Sequence, residues 1–347
     1  MPSLENDNFL RACWRKETDY TPAWFMRQAG RYLESYRKVR AKHEVLDICK
    51  TPELSGKITV DAASELGVDA AILFADIMLP LDGVGIPLKI VDGVGPRIEK
   101  PVRNSEVIVQ LEQFTPEEHV PYVLDAIRDA KSGLEDKIPL IGFSGAPFTL
   151  ASYLIEGGPS RDFTETKKLM YSQPELWNRL LSALSEMVSS YLRAQITAGV
   201  DAVQLFDSWS GCLSPVDYQE FVLPFTREIL SELESTGVPR IHFGVGTAGL
   251  LKTVSEAGGD VCGVDWRIPI DEAWKIVGER GIQGNLDPAT LLGSWELVEK
   301  RTREILGRVG GRPGHVFNLG HGVLPETDPV QLKRVVDLVH QETRRRR

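Results

Sequence analysis

Residues 22–31 read Pro-Ala-Trp-Phe-Met-Arg-Gln-Ala-Gly-Arg. The run is apolar as far as Met26, which suits a buried strand. Arg27 and Arg31 then bracket Gln28, Ala29 and Gly30, and the glycine suits a loop or a close backbone approach to a ligand. If the chain turns helical here, the two arginines share a face. A strand that delivers two permanent cations and free backbone amides into a loop can hold carboxylates. Spacing alone does not separate that reading from an ordinary solvated helix face. What matters is whether the rest of the chain repeats the pattern of an apolar strand ending on polar groups.

It does. Val68–Phe74 is an apolar run delivering Asp76, and Thr51-Pro52-Glu53 before it is a helix start closed by Gly67. Pro139–Phe143 leads into Ser144-Gly145-Ala146-Pro147 and a short helix over 148–156 that carries Tyr153. A long amphipathic helix from Pro174 ends by Gly199. Asp201–Phe206 ends at Asp207-Ser208. Arg240–Phe243, Val261–Val264, Gly281–Gly284 and His315–Leu319 continue the series, the last ending at Gly320-His321-Gly322. Asp287-Pro288 and Asp328-Pro329 start helices. With 23–26 these are eight apolar strands mostly separated by helices, which points to a single-domain (β/α)8 TIM barrel over residues 1–347. Residues 83–110, rich in Gly, Pro and Val with Asp92-Gly93 between apolar runs, read as a β-hairpin insertion. A doubly wound open sheet is the competing architecture. It usually shows a Gly-rich phosphate turn after its first strand, and Arg27–Arg31 is not one.

In a barrel, polar residues just past the strand ends open on one face. Arg27, Arg31, Asp76, Ser144, Asp207, Ser208, His242, Asp265, Asn285 and His321 would therefore converge in one mouth. Each has a plainer reading. Asp76 could cap a helix, His321 could be structural, Asp265 could pair with Arg267, and Trp24, Phe74, Phe206 and Tyr153 read as core. The constellation carries more than any member.

Composition bounds the partners. The 347 residues are 42% hydrophobic and 26% charged, with a formal net charge of −9. An acidic balance argues against nucleic acid as the main partner; an anionic substrate would need its cations gathered locally. The Arg344–Arg347 run reads as a solvated tail. Cys13, Cys49, Cys212 and Cys262 show no C-x-x-C spacing, so neither a zinc knuckle nor a thioredoxin-like site is indicated. The polar N-terminus is unlike a signal peptide. Residues 138–155 lack charge, but Pro139, Gly142, Gly145 and Pro147 make them strand, loop and helix rather than a membrane span. A cytoplasmic protein with reduced thiols is expected.

Taken together, PAWFMRQAGR (22–31), LFADI (73–77), GFSGAPFTLASYLIEGG (142–158), QLFDSWSG (204–211), HFGVGT (242–247), GVDWRIP (263–269), QGNLDP (283–288) and NLGHGVLPETDP (318–329) resemble uroporphyrinogen decarboxylases, in order and over nearly the whole chain. The MRQAGR and GHGVLPET segments are the most specific. The resemblance implies a cytosolic (β/α)8 enzyme without metal or cofactor, usually a homodimer. Such an enzyme takes carbon dioxide from the four acetate arms of uroporphyrinogen III, giving coproporphyrinogen III for haem and related tetrapyrroles. Carried over by motif, the substrate-binding residues are Arg27, Gln28, Ala29, Gly30, Arg31, Asp76, Tyr153, Ser208 and His321, with Asp76 and Arg27 catalytic.

The chemistry is consistent. Eight substrate carboxylates call for arginine forks and backbone donors. Protonating the pyrrole carbon beside the acetate-bearing one creates an electron sink. A carboxylate facing the ring nitrogens would hold that cation, an effect of roughly 3–4 kcal/mol by analogy with single oxyanion-hole groups. Two rivals are kept. A zinc-dependent corrinoid or thiol methyltransferase of related fold needs thiolate and imidazole ligands, commonly His-x-Cys, where this chain has His242-Phe243-Gly244. A non-catalytic tetrapyrrole-binding protein would be expected to lack Asp76 or the arginines.

Overall fold

The computed structural model describes residues 4–91 and 93–345. Seven parallel strands form one curled sheet: β1 (Ala71–Ile72), β4 (Leu140–Gly145), β5 (Ala202–Asp207), β6 (Arg240–Gly244), β7 (Val261–Gly263), β8 (Gly281–Leu286) and β9 (His315–Leu319), neighbours in that order. The two missing numbers, β2 (Leu88–Val91) and β3 (Gly95–Ile98), are an antiparallel hairpin beside the main sheet. Asp92, half of the turn read from the sequence, lies outside the described residues, as do Arg346 and Arg347 of the basic tail and residues 1–3. Val203, Ile241, Val261, Ile282 and Val316 are all buried, as expected of strands covered by helices on the outside and by packed side chains on the inside of a barrel.

The eighth stave is not a regular strand. Residues 22–25 lie between the two edges of the sheet and close it with single hydrogen bonds. The Phe317 N–H donates to the Pro22 carbonyl at 2.8 Å, Trp24 N–H to the Phe317 carbonyl at 3.3 Å, and Asp69 N–H to the Ala23 carbonyl at 2.9 Å. Among the described residues of this segment, Ala23 and Phe317 alone form a bridge. The expected strand over 23–26 is therefore an extended segment, and the one expected over Val68–Phe74 shortens to Ala71–Ile72. Side chains take over the backbone partners there. Ile72 N–H donates to Gln28 Oε1, Phe74 N–H to Thr59 Oγ1, and Met26 N–H to Asn318 Oδ1. The ladder is lost without orphaning the buried amides.

Inside the barrel, Trp24 Nε1 donates to Gln283 Oε1 at 3.0 Å and Gln283 Nε2 to Gln204 Oε1 at 2.8 Å. Those side chains come from the closing segment, β8 and β5, which are not adjacent staves, so the rung crosses the interior. Local signals hold where they were strongest. The helix Pro52–Leu66 ends on Gly67 in the left-handed conformation at φ 66°, where glycine avoids the Cβ penalty. Asp328 caps Pro329–Thr343 and Asp287 caps a 3-10 turn over Pro288–Leu292. The uncharged run 138–155 divides into β4 and the helix Pro147–Glu156. Among the described residues no helix is long and apolar enough to cross a membrane, and the four cysteines are free thiols.

Candidate active site

A cavity of about 510 Å³ opens at the C-terminal ends of the strands, a volume in the range of small-molecule sites. Arg27, Gln28, Ala29, Gly30, Arg31, Asp76, Tyr153, Ser208 and His321 all line it. The other polar residues expected at the mouth do not. Ser144, Asp207, His242, Asp265 and Asn285 are buried elsewhere. Asp265 accepts from Gly246 N–H at 2.6 Å and from the guanidinium and N–H of Arg267, the structural pairing that its spacing allowed. Asn285 Nδ2 ties the carbonyls of Asp265 and Ile268. Asp265 and Asn285 stitch the loops; the first set faces the ligand space.

Arg27 and Arg31 are exposed to the cavity side, and neither guanidinium makes a hydrogen bond or ion pair with another described residue. Two permanent cations left unpaired in an acidic chain are available to an anion. Arg27 sits at φ 57°, a left-handed conformation that L-residues rarely adopt. Its stem crosses Gly322, where an added Cβ would lie 2.5 Å from Arg27 Cδ and 2.6 Å from Cγ. Gly30 likewise leaves room for the Tyr32 ring, 3.0 Å from where its Cβ would stand. Gln28 differs from its neighbours. Its side-chain amide bonds the backbone of β1 at both ends, to the Ala70 carbonyl at 3.1 Å and the Ile72 N–H at 3.3 Å.

Asp76 follows β1 and accepts from Met78 N–H at 2.8 Å. Burial pushes its carboxyl above the usual range, against the lowering effects of the Met78 hydrogen bond and the nearby Arg27. Desolvation wins because one hydrogen bond and one cation at a distance do not replace the water removed from a carboxylate. Tyr153, on the helix Pro147–Glu156, has its hydroxyl pushed up by burial and then by Asp76. Its ring lies against Trp209, centroids 3.9 Å apart. His321 is pushed down to about 4, first by burial and then by Arg27. Its Nδ1 accepts the Gly322 N–H at 2.7 Å, so the neutral ring carries its proton on Nε2.

The opposite wall is aromatic. Phe143, Phe206 and Phe243 meet edge to face at 5.5 and 5.8 Å and line the cavity with Phe74. Phe74 and Phe206 pack against the core, as read, and also present a partly exposed side to the cavity. Parity at the strand end decides it, since Phe206 and Ser208 face the cavity while Asp207 between them is buried. Trp24 is core, fully buried. Tyr36 and Arg40 also line the cavity, though nothing in the sequence singled them out beyond their spacing of four on the helix Glu34–Arg40.

An apolar wall, a cationic rim and one enclosed carboxylate suit a large polycarboxylate with an apolar body. Residues 4–342 match the family described as Uroporphyrinogen decarboxylase (URO-D). The chain is 55% identical over 336 residues to the uroporphyrinogen decarboxylase of Sorangium cellulosum, covering 96% of both chains. The chain belongs to the uroporphyrinogen decarboxylase family. It is also 51% identical to the uroporphyrinogen decarboxylase of Carboxydothermus hydrogenoformans, over 97% of this chain and 96% of that one. Among solved structures, a methyltransferase from Methanosarcina mazei superposes with a TM-score of 0.82, covering 98% of this chain and 99% of that one at 19% identity. That likeness is one of fold, and it agrees with a curled parallel sheet of barrel type. Within the decarboxylase family fold, position 244 does not offer the thiolate of a methyltransferase zinc site. A Cβ at Gly244 would lie 2.6 Å from Thr247 Cγ2. Among the described residues no three His, Cys, Asp or Glu side chains are grouped to hold a metal ion.

Proposed function

We propose that this chain removes carbon dioxide from the four acetate arms of uroporphyrinogen III, leaving methyl groups and giving coproporphyrinogen III. One observation supports this most: the unpaired Arg27 and Arg31 share a cavity with the enclosed carboxylate of Asp76. Arginine forks suit the propionate and acetate carboxylates, and the phenylalanine wall suits the macrocycle. The flexible porphyrinogen domes its pyrrole N–H groups toward Asp76.

The reaction needs an electron sink. A proton added to the pyrrole carbon beside the acetate-bearing one leaves a cation shared with the ring nitrogen. Asp76 holds that cation in place. The C–CO2 bond then breaks, its electron pair neutralises the ring, and an exocyclic methylene remains. A second proton enters at the methylene carbon, and the first leaves the ring carbon. The balance is one proton consumed and one carbon dioxide released per arm. A fixed carboxylate facing the bound ring contributes at the two cationic stages without reorganising. Neutral His321, its proton on Nε2, donates a hydrogen bond to a substrate carboxylate without adding charge. Tyr153 and Ser208 supply hydroxyls on the same cavity, and the Gln28–Gly30 backbone lies between the two arginines.

The reading includes a cytoplasmic homodimer acting without metal or organic cofactor. Protein dialysed against a chelator, then given enzymatically made uroporphyrinogen, is expected to yield hepta-, hexa-, penta- and tetracarboxylate products in turn. No carbon dioxide release, or release only after a metal is added, would sink it. Light scattering tests the dimer.

A further inference from the structure

Gln28 stands between the two cavity arginines, yet the residue is only 1% exposed and its amide is engaged at both nitrogen and oxygen by the backbone of β1 and Ala70 before it. On one side β1 pairs with β4, Ala71 opposite Leu140 and Ile72 opposite Ile141. Its other side faces the closing segment, which offers one backbone bond, Asp69 N–H to the Ala23 carbonyl. The next two groups on that edge, the Ala70 carbonyl and the Ile72 N–H, are met by Gln28 Nε2 and Oε1 instead. A primary amide presents donor and acceptor much as a peptide does, so this side chain stands in for a missing stretch of strand. Gln195 does the same to β4, bonding both the N–H and the carbonyl of Phe143 at 2.9 Å.

We infer that Gln28 is a positioning residue that registers the Arg27–Arg31 loop on the strand leading to Asp76. The inference rests on the decarboxylase reading for its kinetic consequence, but not for its structural one. Around it the loop is held from the far side as well. The Tyr32 hydroxyl donates to the Gln28 carbonyl, and Val323 N–H donates to the Met26 carbonyl at 2.9 Å. Of residues 27–31, Gln28 alone has a side chain bonded to β1 among the described residues. Asp76 lies four residues beyond Ile72 in sequence, so the clamp fixes arginines and carboxylate to one short piece of backbone. A cation-to-carboxylate spacing set this way depends on no contact between the charged groups themselves.

Gln28→Met keeps the length and removes both hydrogen bonds. Gln28→Glu keeps the acceptor for Ile72 N–H and turns a repelling oxygen toward the Ala70 carbonyl. Hydrogen exchange by mass spectrometry on peptides spanning 26–32 is expected to quicken tenfold or more in Gln28→Met, with peptides of the helix Pro174–Ala198 unchanged. In the same preparation KM for uroporphyrinogen should rise about tenfold with a smaller change in kcat. A double-mutant cycle completes the test. Arg31→Lys should cost less in kcat/KM in the Gln28→Met background than in the wild type, because the loop that aims Arg31 is already loose. Unchanged exchange over 26–32, or kinetic penalties that multiply independently, would overturn the positioning role. Should Gln28→Met fail to fold, Gln28→Glu carries the same measurements. A wild-type protein without decarboxylase activity would count against the functional reading alone, since the exchange experiment still decides the clamp.

Discussion

Asp69 and Ala23 exchange two hydrogen bonds, Asp69 N–H to the Ala23 carbonyl at 2.9 Å and Ala23 N–H to Asp69 Oδ2 at 2.7 Å. The same carboxylate accepts from His340 Nε2 at 2.7 Å, Asn6 Nδ2 at 2.8 Å and Tyr20 at 3.1 Å. One buried side chain thus ties the N-terminal stretch, the closing segment and the last helix to the start of β1. Asn in its place keeps one acceptor and turns an amide N–H toward existing donors. Asp69→Asn is expected to lower stability by roughly 3 kcal/mol, the scale for breaking a buried charged partner. Denaturant titration of both proteins checks it; a shift under about 0.5 kcal/mol would show that the seam is held elsewhere.

Asp76 should behave in the opposite way. Burial raises its carboxyl above the unfolded value, so the folded chain takes up a proton at higher pH than the unfolded chain does. Stability therefore falls as pH rises through the window above the ordinary carboxyl range. Asp76→Asn removes the half-buried charge and retains an acceptor for Met78 N–H. Turnover is expected to fall at least about a hundredfold while Tm at neutral pH holds or rises. Asp76→Glu should keep a small fraction of activity. Near-normal turnover in the Asn variant would remove Asp76 from the reaction.

Gly322→Ala tests the seat of Arg27. The new methyl group would stand within 2.6 Å of Arg27 Cγ and Cδ, closer than such contacts are found. Arg27 must swing away, since its stem is more movable than the backbone beneath the methyl. We expect KM for uroporphyrinogen to rise about tenfold with Tm lowered by no more than a few degrees. An unchanged KM would place the carboxylate grip away from Arg27.

The fourth expectation concerns acid. Burial holds His321 at about 4, and His315 is held at about 4 by the same cause. The unfolded chain binds protons on both rings between that value and about 6.5, where the folded chain does not. Stability should accordingly climb as pH rises from 4 to 6.5 and flatten above. His321→Gln should make the climb shallower, with His315 supplying what remains. Tm measured across that interval gives the comparison, and parallel curves for the two proteins would refute it.

Much of this was legible in the chain, and the exceptions share a cause. Hydrophobic period, Pro at helix starts and Gly at helix ends are local, so Pro52–Leu66 and Pro174–Ala198 appear where the sequence puts them. The convergence of Arg27, Asp76, Ser208 and His321 follows the strand ends, whereas Tyr153 reaches the cavity from the helix Pro147–Glu156 and only its motif pointed to it. Which way a residue turns after a strand does not follow from its place there. Asp207 and Ser208 are adjacent and equally polar, and only register decides that Ser208 reaches the cavity. The short β1 was also hidden, because its missing ladder is supplied by Gln28 and Thr59 from elsewhere in the chain. Arg40 escaped notice since a helical arginine in a basic stretch looks the same in or out of a site.

Arg27 carries one further consequence. Its backbone occupies the left-handed region at φ 57°, which costs an ordinary L-residue roughly 1–2 kcal/mol. Glycine there would relax the chain. Folding and chemistry consequently pull in opposite directions at one position: a random library screened for heat resistance should accumulate Arg27→Gly, and the same library screened for carbon dioxide release should discard it.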